Sequence, residues 1–262
     1  MGFSADWLAL REPADAPARD PALARRAAAL AGPAPLVVDL GCGTGANFRA
    51  LAPLLAEGTR WRFVDHDPAL LTLAGDAAGG RAELVEADLG DPAALPLEDA
   101  TLVTASALLD LVPEAWVAGL ARRLRVPFYA ALSYDGRMEW TPGDPRDAAV
   151  AAAFDRHQRG DKGLGPALGP AAAERSAWVF ETAGFTVETA PSPWSLGSDQ
   201  GALQRALVEG IAAAAREAGA EDAAAWGARR RELAARTHCT IGHLDLLAIP
   251  GRPPHGEAHA PR

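Results

Sequence analysis

The 262-residue chain has one lysine, Lys162, two cysteines, two tyrosines and two methionines. Two cysteines as far apart as Cys42 and Cys239 exclude a disulfide framework and a cysteine zinc site, so no metal is expected. No apolar run is long enough to span a membrane, and no charged segment followed by an apolar one opens the chain. A soluble, cytoplasmic protein is the expectation. Excess positive charge is lacking as well. The net charge is −9, whereas nucleic-acid binding calls for a basic face that displaces counterions from phosphates. Two arginine clusters, Arg122-Arg123-Arg125 and Arg229-Arg230-Arg231, fall in helical stretches and read as solvated faces. Neither nucleic acid nor membrane is expected as a partner. The scarcity of lysine reads as compositional bias in an alanine-rich chain.

What is present is apolar material: 49% of the residues are hydrophobic, enough for a buried sheet in one large α/β domain. Short apolar runs at 36–40, 61–65, 82–88, 101–105 and 128–133 read as strands. Helical stretches separate them, the pattern of βαβ units and a mostly parallel sheet. Asp20 and Pro21 open a helix that Gly32-Pro33 ends. Strand character resumes at 185–189 and 240–249, on either side of an alanine-rich helical region over 199–237. The expected organisation is an N-terminal helical cap (1–35), a core (36–133), an insertion over the site rather than sheet (134–175), the rest of the core (176–250) and a flexible tail (251–262).

The segment Val38-Asp39-Leu40-Gly41-Cys42-Gly43-Thr44-Gly45 places a glycine at every second position after a strand. Glycines let the backbone turn sharply and approach a ligand beyond the strand end. Gly41, Gly43 and Ala46 also satisfy a dinucleotide fingerprint, which leaves a nicotinamide or flavin reading open. Three features weigh against it. Asp39 is awkward beside a pyrophosphate but suits a cationic ligand, Gly45 extends the alternation, and Asp88 closes the third strand.

Val38 to Gly45 resembles motif I of the class I S-adenosylmethionine (SAM)-dependent methyltransferases. Phe63 to Leu71, Glu86 to Leu89 and Asp99 to Ser106 resemble the family's second-, third- and fourth-strand segments, in order and at matching spacing. The resemblance covers about residues 35–133. It implies a Rossmann-like α/β fold, with a seven-stranded mostly parallel sheet, helices on both faces and an antiparallel last strand. It also implies SAM as cofactor, with S-adenosylhomocysteine as product. Carried over residue by residue, Gly41, Cys42 and Gly43 would lie against the methionine and ribose parts of SAM, with Asp39 close by. Asp65 would accept from the ribose hydroxyls, His66 would flank the adenine, and Asp88 with the Leu89 backbone would meet its amine. Ser106 would face the methionine part or the acceptor. The opening Trp7 to Arg19 resembles a segment folded over SAM, with Arg11 and Arg19 placed to meet its carboxylate.

The acceptor is less legible. Transfer is an in-line displacement at an activated methyl group, so the protein mainly aligns the acceptor and excludes water. Asp110, Tyr134 and His157 are the candidates for catalytic work at the acceptor, each with a plain structural alternative. Trp140 and Trp194 are candidate pocket walls, with core packing as the alternative. His243, on one face of its strand with Asp245, reads as a structural histidine. A small-molecule N- or O-acceptor is expected. A protein or tRNA acceptor, or a SAM-binding role without methylation, is the alternative.

Overall fold

Four apolar residues and Asp39 make up β1 (Leu36–Leu40), which is buried along its whole length as a central strand of a parallel sheet must be. β2 (Arg60–Asp65), β3 (Ala82–Glu86), β4 (Leu102–Ser106) and the start of β5 (Phe128–Thr141) lie parallel around it. β8 (His238–Pro250) runs antiparallel between β5 and β6 (Phe185–Pro191), giving the order β3-β2-β1-β4-β5-β8-β6. The expected seven strands are this path; a short β7 (Trp194–Leu196) pairs with β8 as an eighth. The computed structural model describes residues 3–251; all of the expected tail except Gly251 lies outside them.

Alternation along the strands sends side chains to two layers. Val38, Leu40 and Val103 pack with α5 (Glu114–Arg123) and α7 (Ala172–Thr182). Val37, Trp61, Phe63 and Leu102 pack with α2 (Pro21–Leu30), α3 (Ala46–Leu51) and α4 (Pro68–Ala77). Asp20 caps α2 as expected, accepting from the Leu23 N–H at 2.7 Å. A third apolar cluster joins α6 (Asp147–Gln158), α8 (Gly201–Glu217), α9 (Ala223–Leu233) and the far halves of β5 and β8. The N-terminal α1 (Ala5–Ala18) is a helix despite Pro13 and Pro17, and lies over the glycine loop.

Three expectations change. Residues 134–141 do not leave the sheet: β5 continues against β8 to Thr141, with register shifts absorbing the irregular sequence. Gly242 makes this possible, because Asp135 sits where a side chain at 242 would be. The helical region over 199–237 is two helices, α8 ending before Gly219, whose φ of 88° suits glycine. Arg230 is not on a solvated face. It is fully buried, ion-paired to Asp147, donating to the Pro142 carbonyl at 2.8 Å and stacked over Trp140.

Candidate active site

Because β1 is followed in the sheet by β2 on one side and β4 on the other, the chain's direction across the sheet reverses there. A crevice opens beyond the carboxyl ends of the strands at such a point. The residues along that edge follow the strand order: Asp88 after β3, Asp65 ending β2, Gly41 to Gly43 after β1, and Ser106 ending β4. A cavity of about 720 Å³ lies here, within the size range of small-molecule sites.

The glycine loop is tied to the neighbouring strand. Gly41 and Cys42 donate backbone N–H bonds to the Val64 carbonyl at 2.8 and 3.2 Å. Gly43 donates its N–H to Asp65 Oδ2 at 2.9 Å, and Asp67 donates to Asp65 Oδ1 at 3.1 Å. Asp65 is therefore a buried carboxylate that holds the loop while facing the cavity. Gly43 has a φ of 54°, and a Cβ there would lie 3.1 Å from a methyl of Leu8, so α1 closes on the loop only over glycine.

Asp39 is fully buried on the same face as α3. Its Oδ1 accepts from Asn47 Nδ2 at 2.9 Å, and the same amide donates to Thr104 Oγ1 at 3.1 Å, while Asp39 Oδ2 has no partner among the described residues. Burial pushes the Asp39 carboxyl up to about 7, opposed by Asn47 and Arg19 and reinforced by Asp65. The sign follows. A folded-state value above the unfolded one means that Asp39 favours folding at low pH, a contribution lost as pH rises from about 4 to about 7. A cationic ligand reverses the preference and favours the anion. SAM binding should therefore release a proton, and its affinity should rise with pH, by up to about tenfold per unit, until pH passes about 7. Calorimetry in buffers of different ionisation enthalpy reads the proton directly. Asp39→Asn should abolish the release; a release that survives in this variant would assign it elsewhere.

The expected site residues fall into two groups. Asp39, Gly41, Cys42, Gly43, Asp65, His66, Asp88, Leu89, Ser106 and His157 line the cavity. Arg19, Asp110 and Tyr134 are outside its lining. His66 is exposed, its Nδ1 3.3 Å from Asp65 Oδ1. Asp88 is exposed, accepting the Gly90 N–H at 2.9 Å, and Trp116 of α5 donates its indole N–H to the Leu89 carbonyl. Burial pushes the Cys42 thiol up, so it is a small packed residue and no thiolate. Arg19 is buried directly behind the cavity wall. Its Nη2 donates to Ser106 Oγ at 3.1 Å, and its Nη1 has no partner among the described residues.

Tyr134 is turned away from the cavity. Its hydroxyl donates to Asp155 Oδ1 at 2.9 Å and its ring packs edge-on against Phe154. Asp110 sits in the short turn after β4, with Oδ1 unpartnered and its carboxyl raised by burial to about 6. Arg11 lines the cavity but is bound by Asp15 through two contacts of 2.8 and 3.1 Å, and Trp194 donates to the same carboxylate at 2.8 Å. Trp140 and Trp194 are both core residues. His243 is buried and held neutral, its value pushed down to about 3 by burial and by Arg11. Sequence reading passed over Asn47, which lines the cavity and fixes Asp39. Its position at the start of the helix after the glycine loop was the available signal. Lys162 was also passed over, its singularity read as composition.

The family model for a methyltransferase domain matches residues 37–126, the stretch that carries the glycine loop and Asp39, Asp65, Asp88 and Ser106. Residues 37–126 thus carry a methyltransferase domain, on a Rossmann-like α/β sheet. Its cofactor is SAM. Among solved structures it is similar to the YcgJ protein of Bacillus subtilis, at 13% identity and a TM-score of 0.53 over 88% of this chain and 98% of that chain. It is also similar to BH2331 of Bacillus halodurans C-125, described as a candidate methyltransferase, at 13% identity and a TM-score of 0.51 over 88% of this chain and 98% of that one. At such identities the likeness speaks to the fold alone. No curated protein matches the chain in sequence. No helix among the described residues is long and apolar enough to cross a membrane.

Proposed function

We propose that this methyltransferase acts in the cytoplasm on the nitrogen or oxygen of a small, largely apolar acceptor. The observation that carries the reading is the apolar part of the cavity lining. Trp7 of α1, Leu108 and Leu111 after β4, Phe154 of α6, and Leu207 and Ile211 of α8 belong to it. Helices from three separate parts of the chain thus supply apolar walls to a cavity that also carries carboxylates. Both cysteines are free and buried, in keeping with a reducing compartment.

The residues present fit SAM. Two buried atoms at the centre of the edge want opposite partners: Asp39 Oδ2 a donor and Arg19 Nη1 an acceptor. The ammonium of an amino-acid group supplies the first, since Asp39 lines the cavity, and its carboxylate would face Arg19 across Ser106, which lies between them. In this reading Asp65 takes the ribose hydroxyls, Asp88 and the Leu89 backbone the adenine, with His66 at its side, and Gly41, Cys42 and Gly43 the close backbone approach. SAM supplies an electrophilic methyl group on a sulfonium. The protein's part is to align the acceptor and to exclude water, which apolar walls on three helices do. Of the groups expected to act on the acceptor, only His157 lines the cavity; Tyr134 and Asp110 stand behind the wall.

The test is a size-graded acceptor panel followed by S-adenosylhomocysteine release. Turnover is expected with amines, phenols or alcohols of small-molecule size and not with intact protein or tRNA. Release driven by a folded protein or a tRNA, and by no small molecule, would refute the small-acceptor reading. Tight SAM binding with no release across the whole panel would point to a non-methylating role.

A further inference from the structure

Resting on the reading of this cavity as a joint SAM and acceptor site, we propose that Lys162 is the acceptor-recognition residue, and that the acceptor is an apolar molecule bearing a carboxylate. Lys162 lines the cavity together with Leu164 and with Phe154 and His157 of α6. It is the only lysine in the chain.

The ammonium is held but not satisfied. Its Nζ lies 3.0 Å from the His157 carbonyl and 3.1 Å from His157 Nδ1. An ammonium has three N–H donors, so one remains. His157 Nε2 lies 3.0 Å from Glu217 Oε2 at the end of α8. That contact sets the tautomer: the ring proton sits on Nε2, and Nδ1 is left to accept from Lys162. Both ring nitrogens are thereby engaged, so His157 positions Lys162 instead of serving as a free base. The chain Glu217–His157–Lys162 pins the cation from behind and leaves one proton for a ligand.

Charge around the cavity argues the same way. Among the described residues Lys162 forms no ion pair with a carboxylate, whereas Arg11, the other cation on the lining, is neutralised by Asp15. Burial lowers the proton affinity of Lys162, and the pull of Glu217 and Asp110 opposes this. An anion against it restores the lost stabilisation of its charge. The lining also carries Asp39, Asp65 and Asp88, which repel an acceptor anion placed against them. Attraction at Lys162 and repulsion at these carboxylates would orient the acceptor in the cavity.

The experiment uses 1-naphthoate and 1-naphthamide, near-isosteres that differ in charge, titrated calorimetrically into the full chain saturated with S-adenosylhomocysteine. Naphthoate is expected to bind at least about tenfold more tightly than the amide, the scale of one charge-assisted contact. Lys162→Met should erase that difference, Lys162→Arg should keep most of it, and S-adenosylhomocysteine affinity should be unchanged in both variants. Equal affinities in the wild type, a preference that survives in Lys162→Met, or no naphthoate binding beside the bound product would each overturn the proposal. Failure of S-adenosylhomocysteine itself to bind would overturn the cofactor reading beneath it.

Discussion

Asp65→Ala lowers SAM affinity by about 100-fold or more. The carboxylate holds the Gly43 and Asp67 N–H groups, and in the proposed complex it also takes two ribose hydroxyls. A hydrogen bond to a charged group contributes roughly 1.5–3 kcal/mol, so two lost ligand contacts amount to at least about 3 kcal/mol, or about two decades. Release of the loop at Gly43 adds to the loss. Titration with SAM, S-adenosylhomocysteine and NAD on wild type and variant is the check. Both SAM ligands should bind the wild type and NAD should not. A variant that binds SAM within about threefold of wild type would remove Asp65 from the site. NAD binding in place of SAM would reinstate the dinucleotide reading that the glycine spacing alone allows.

Asp245→Ala destabilises the fold by about 4 kcal/mol, with three orphaned donors as the cause. Asp245 is fully buried on β8 opposite the first irregularity of β5, where Ala130 pairs with Leu246 and Ser133 with Leu244. Leu132 adopts a left-handed φ of 58° in that bulge and donates its N–H to Asp245 Oδ1 at 2.9 Å. The Tyr129 hydroxyl and the Asp20 N–H donate to Oδ2 at 2.8 and 3.0 Å. One carboxylate thus holds a strained bulge, a core tyrosine and the junction of α1 with α2. Alanine leaves all three donors without that acceptor, two of them buried and the Asp20 N–H part-buried. Urea denaturation should show a lower midpoint with an unchanged slope. A loss under about 1 kcal/mol would mean that water or a shifted backbone replaces the carboxylate. Arg19 precedes Asp20, so the folded fraction of this variant should also bind SAM more weakly than wild type.

Much of the core was legible because the signals there are local. A parallel strand buried on both faces shows as an apolar run, and a tight turn under a ligand shows as glycines. A carboxylate that holds the glycine loop shows as Asp65 at the end of the next strand. These depend on a few consecutive residues, and the family resemblance over 35–133 adds the order in which they come. Asp20 and Pro21 marked the start of α2 for the same reason: the cap and its helix are neighbours in sequence.

What stayed hidden is made by contacts between distant parts of the chain. Residues 134–141 carry the glycine and charge of a loop, and only the long β8 beside them, with Gly242 under Asp135, makes them strand. Arg230 reads as a solvated helix residue until Asp147, 83 positions away, buries with it. Trp194 could have walled a pocket, but Asp15 of α1 takes its N–H and draws it into the core. The glycine-loop side of the cavity was thus determined by the sequence itself, since its geometry is that of one strand end and the turn after it. The helical walls proposed to take the acceptor were decided by tertiary structure alone: α1, α6 and α8 meet through apolar packing, which has no direction and leaves no motif, and Lys162 acquires its setting only when Glu217 and His157 arrive beside it.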